Sequence, residues 1–137
     1  MKIIGEKAKL ELNILGEEHP NSNDKWDRKW LKVNIKALLE SFQAHFQASI
    51  MIDEFAPFIH SLSKVLDTLK GVFELCTLEE EIYLKGDVDY TGNVKWHGVL
   101  VHPVGIGNEL HFSFMTDFYQ LQIIKNALIR ELSDYHL

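Results

Sequence analysis

The run Asp87-Val88-Asp89-Tyr90-Thr91-Gly92 places oxygen ligands at alternate positions before a glycine, as the first half of a calcium loop does. The second half is missing. Its twelfth position, where a bidentate glutamate is required, is Gly98, so a hairpin turn is the expected structure. Val104-Gly105-Ile106-Gly107-Asn108 holds a Gly-x-Gly, but no third glycine follows and a strand pattern comes next. It offers no helix N-terminus to a phosphate. Seven histidines invite a metal, yet none forms a His-x-His pair or a helical His-x-x-x-His pair. His45, His97 and His111 share an outward strand phase and would meet only if their strands were neighbours.

The single cysteine, Cys76, lacks the basic neighbours that would lower its pKa, and no Gly-x-Ser-x-Gly elbow is present. With His45 and His97 it supplies the best residues for a rival reading, a small ligand-binding or enzymatic domain with a cavity between sheet and helices. The main reading is a binder with no catalytic residues, no metal and no cofactor. Glu79-Glu80-Glu81, with Asp87 and Asp89 close in sequence, forms acidic ground suited to steering a basic partner. Trp26 and Trp30 are side chains of the type that anchors interfaces. The partner-binding candidates are therefore Trp26, Trp30, Glu79, Glu80, Asp87 and Asp89.

The elements that must carry these residues follow from periodicity. Leu10, Leu12 and Ile14 alternate with polar residues; so do Leu31, Val33, Ile35 and Ala37, and then Phe42, Ala44, Phe46, Ala48 and Ile50, all expected to face inward. From Phe55 the spacing changes to three and four through Phe58, Leu62, Val65 and Leu69, which predicts an amphipathic helix with Asp53 as its N-cap and Gly71 as its end. Strand patterns return at 72–76, 81–88, 93–102 and 109–115. A second helix carries Phe118, Leu121, Ile124, Leu128 and Leu132 on one face, opened by an Asp117/Gln120 capping box. The expectation is an α+β fold: one curved, mainly antiparallel sheet of about seven strands with two helices packed on one face.

At 137 residues, 46% hydrophobic, the chain is sized for a single domain spanning 1–137. Its net charge of -6 opposes nucleic acid and anionic lipid. One cysteine cannot form an internal disulfide, and the first ten residues carry four charges and no apolar segment of the secretory kind, so a cytoplasmic protein without membrane attachment, monomeric or homodimeric, is expected.

The chain also resembles the WapI-like bacterial immunity proteins. The likeness lies in Trp30-Leu31-Lys32-Val33-Asn34-Ile35, in 46–58 with the apolar helix after it, and in Gly71-Val72-Phe73-Glu74-Leu75. It continues through Glu81-Ile82-Tyr83-Leu84, the 89–94 turn and Glu109-Leu110-His111-Phe112-Ser113-Phe114, and departs at Asp117-Phe118-Tyr119, where such proteins tend to have Asp-Gln-Thr. The resemblance implies a protein partner: the C-terminal domain of a cognate toxin, often a nuclease, of the polymorphic or contact-dependent growth inhibition type. It implies no transferable binding residues, because these surfaces diverge with their toxins.

Overall fold

The computed structural model describes residues 1–135. Its order is β1 (Lys2–Gly5), β2 (Ala8–Glu17), β3 (Trp30–Leu38), β4 (Gln43–Met51), α1 (Phe55–Thr68), β5 (Gly71–Cys76), β6 (Ile82–Val88), β7 (Asn93–His102), β8 (Asn108–Asp117) and α2 (Gln120–Leu132). Within each half, before and after α1, every strand pairs antiparallel with the one that follows it. The strands form two separate four-stranded sheets, β1-β2-β3-β4 and β5-β6-β7-β8. The same plan, four meandering strands and then a helix, thus occurs twice.

This corrects the single sheet of about seven strands. Period-two alternation reports which face of a strand is buried and is silent on which strands share a sheet, so the break at α1 leaves no mark in the pattern. The eighth strand, β1, is only four residues long and turns one apolar residue, Ile3, inward. The helices also differ from expectation. α1 packs along β5 of the second sheet, whereas α2 lies by β1 of the first, where the Gln120 side chain accepts from the Ile4 amide at 3.0 Å and donates to the Ile4 carbonyl. Each half therefore lends its helix to an outer strand of the other half.

One continuous core draws on both sheets and both helices. Leu10, Leu12, Val33, Ile35 and Ile50 meet Phe73, Leu84 and Trp96 there, with Phe55, Phe58, Leu62 and Val65 of α1 and Leu121, Ile124 and Leu128 of α2. Each such side chain, fully buried, contributes about 1.5–3 kcal/mol of transfer free energy. The polar atoms follow suit. Trp96 Nε1 donates to Thr116 Oγ1 at 2.9 Å, and among the described residues no buried side-chain nitrogen or oxygen lacks a partner.

Several local expectations shift. Phe42 precedes β4 in the turn from β3 and is 63% exposed, not inward. Asp53 caps nothing and instead holds Lys29 at 2.6 Å, because a 3-10 turn over Ile52–Glu54 leads into α1 and Glu54 reaches back to the Met51 amide at 2.8 Å. α1 closes at Leu69, which takes the left-handed conformation (φ 61°) two residues before Gly71. Asp117 does accept from the Gln120 amide at 3.1 Å, but the Gln120 side chain serves Ile4, so the capping box is half formed. No helix is long and apolar enough to cross a membrane.

Candidate functional site

Where the two sheets approach one another, a run of turns brings acidic side chains together. Beyond β2 the chain carries Glu18 and His19 outward, and the loop before β3 is fixed by its own side chains: Ser22 donates to Asp27 at 3.0 Å and the Trp26 amide donates to Asp24 at 2.8 Å. In the other half, the β5–β6 turn is held by the Glu80 amide on the Thr77 carbonyl at 3.0 Å and by Thr77 Oγ1 on the Ile82 carbonyl at 3.1 Å. These turns meet across Ser49 of β4. The result is an open cleft of about 320 Å³ walled by Glu18, Asp27, Glu79 and Glu81, with Trp30, His19 and Val104 at its sides.

Glu81 is the innermost group, its side chain only 4% exposed. Its carboxylate accepts the Ser49 amide at 3.2 Å, and its second oxygen lies 3.2 Å from His102 Nδ1. His102 is in turn stacked on Phe46, ring centroids 4.7 Å apart. Glu18 accepts from Ser49 Oγ at 2.8 Å. Four carboxylates thus line the cleft, and no lysine or arginine is among the described residues that wall it. Its potential is negative and its rim partly apolar, the combination that receives a cationic side chain flanked by an aromatic contact.

Of the residues read from the sequence, the structure brings Trp30 and Glu79 into this cleft. Glu80 sits exposed on the same turn, in the left-handed conformation (φ 56°). Trp26 is exposed just before the 3-10 turn Asp27–Lys29, with Lys29 Nζ 5.6 Å from its ring centroid. Asp87 and Asp89 stand at the opposite end of β6, roughly 20 Å away by strand rise. Asp89 is occupied as the hub of its turn, its Oδ1 accepting the Thr91 and Asn93 amides at 2.9 and 3.0 Å and the Thr91 hydroxyl. The Thr91 hydroxyl foremost, then the Asn93 amide, hold its carboxyl below the usual range. Glu18 and Asp27 were missed because they lie in a polar loop without periodicity. Glu81 stands in the sequence only as one of an acidic run of three and is not among the six candidates, though its burial makes it the pivot of the cleft.

The residues of the rival reading do not converge. His45 is on the outer face of the first sheet, bonded to Asn34 at 2.9 Å, while His97 and His111 are on the second sheet. Among the described residues, no group of three or more His, Cys, Asp or Glu is placed to hold a metal ion. Cys76 faces a shallow groove beside α1, with its sulfur 3.8 Å from Glu74 Oε2. Burial, and then the Glu74 charge, push the thiol up, the reverse of what a nucleophile needs.

Fold and site together define an α+β domain of two antiparallel sheets that presents a negatively charged, aromatic-edged cleft. The family model described as "Immunity protein WapI-like family" matches residues 2–136. The chain belongs to that family. No curated protein matches it. Among solved structures it is similar to one described as "Crystal structures of trypanosoma bruciei MRP1/MRP2", with 9% identity over 91% of this chain and 83% of that one and a TM-score of 0.46.

Proposed function

We propose that this chain is the immunity partner of a bacterial toxin: it binds the toxin's C-terminal domain and neutralises it by covering the active site or substrate surface. Family membership supports protein binding as the mode of action. The observation that carries the reading to a surface is the cleft itself, in which Trp30 stands beside Glu18, Asp27, Glu79 and Glu81 with no lysine or arginine among the described residues of its walls. A nuclease domain is the target class this suits, because the basic surface that grips phosphates would meet a matching acidic one. Trp26 and Trp30 supply the apolar anchors, and Glu79, Glu80, Asp87 and Asp89 the steering charge.

The test is binding to the C-terminal domain of the protein encoded immediately upstream. Wild-type chain should co-purify with that domain and abolish its toxicity. The double reversal Glu79→Lys, Glu80→Lys should slow association and flatten its salt dependence, since exposed charges act chiefly on encounter. An upstream domain that neither binds nor is silenced sinks the reading. Unchanged association kinetics for the double variant would remove this turn from the interface.

A further inference from the structure

β8 pairs with β7 along one edge and is the last strand of its sheet. Its other edge opens into a groove of about 590 Å³ that is separate from the acidic cleft, and the successive residues Leu110 to Met115 all line it. Neighbouring strand residues point to opposite faces, so a groove touched by every one of them follows the strand's edge, where main-chain N–H and C=O groups project. Opposite stand two turns of the first sheet, one holding Glu6 and Lys7 and the other Leu39 and Phe42. Gly5 closes one end: a Cβ there would lie 2.7 Å from the Met115 carbonyl oxygen, so the first sheet touches down on β8 at that point. Away from it the edge is open.

We propose that this groove takes a single extended strand of the protein partner, added to β8 as a fifth strand of the second sheet. The free main-chain groups select the occupant, because a helix has already satisfied its own and cannot pair with them. Phe42, with Leu39, Leu110 and Phe112 half-buried, gives apolar side chains of that strand their contacts. Charge sets one further preference. Lys7 is paired with Glu40 at 3.2 Å and His111 with Glu109 at 2.8 Å, while Glu6 has no paired cation among the described residues. A lysine or arginine at the strand's Glu6 end complements it.

The proposal rests on the reading of this chain as a toxin-binding protein, and the experiment separates the two. Amide hydrogen exchange is followed in the full chain, free and bound to the C-terminal domain encoded upstream, alongside the variant Phe42→Asp. In the complex the alternate amides of 109–113 that point away from β7 are expected to slow by roughly tenfold or more, as those of a strand that has gained a neighbour do. Phe42→Asp should weaken binding by about tenfold with an unchanged unfolding midpoint, because the side chain it replaces is outside the core. A complex that forms with β8 exchanging as before, and with Phe42→Asp binding at full strength, overturns the groove while leaving the immunity reading standing. If wild-type chain does not bind the domain at all, both fall.

Discussion

Phe73 of β5 lies directly across from Gly86 of β6, its ring over the glycine so closely that a Cβ there would fall 2.1 Å from the ring's Cζ. Phe112 and Gly98 repeat the relationship between β8 and β7, at 2.2 Å. The glycines serve the packing here: each leaves a hollow in the sheet that an aromatic ring fills.

Gly86→Ala should therefore destabilise the protein by about 1–3 kcal/mol, since Phe73 is buried in the core against Phe58 and Trp96. Gly98→Ala should cost less, because Phe112 is only half-buried and can swing outward. Urea unfolding of the two variants checks the order. Equal losses, or none at Gly86, would contradict this account of the second sheet.

The bond from the Ser49 amide to Glu81 ties the edge of the first sheet to the second. Glu81→Ala leaves that donor without its acceptor, a loss of about 1–3 kcal/mol. Glu81→Gln keeps a carbonyl oxygen in place and should lose distinctly less. Denaturant titration of both variants decides it, and a Gln variant as unstable as Ala would show that charge, not hydrogen bonding, is what Glu81 supplies.

Two carboxylates set an acid limit on stability. Asp89 is held low by the Thr91 hydroxyl and the Asn93 amide. Glu11 is held low by its bond to Lys9, opposed by its burial and aided by the charges of Lys9, Lys2 and Lys36. A carboxylate whose folded pKa lies below its unfolded one stabilises the fold above the unfolded value, about 3.9 for Asp and 4.3 for Glu, and that stabilisation fades as pH falls through the folded value. Stability is expected to be flat in this respect near neutrality and to drop below about pH 4. In Asp89→Ala, with the hydrogen-bonded carboxylate gone, the acid decline should be shallower. Thermal melts from pH 3 to 7 measure it, and an identical slope in the variant would refute the assignment.

How much of this the sequence revealed depended on whether burial imposed a period. The faces of β2 and β3 were legible because Leu10, Leu12, Val33 and Ile35 are covered on one side only. Both helices were legible from three- and four-residue spacing, and the 89–92 turn from its residue types. Sheet membership was not, since nothing in alternation separates β4 from β5. Phe42 went wrong because it keeps the alternation of β4 into a turn that no longer faces the core. The cleft was half legible: Trp30 and Glu79 stand out by type, whereas Glu18 and Asp27 reach it only through the fold of an aperiodic loop, and Glu81 differs from Glu79 and Glu80 by placement alone.

The exchange of helices between the halves has a practical outcome. The link between α1 and β5 runs through Leu69 and Lys70, both exposed, so the backbone can be severed there with little direct damage. Residues 1–70 and 71–137, made as two polypeptides, would each lack the helix that shields an outer strand and half of the oily interior. Neither fragment is self-sufficient, and each is the other's missing piece: the molecule is built as a clasp of two hands.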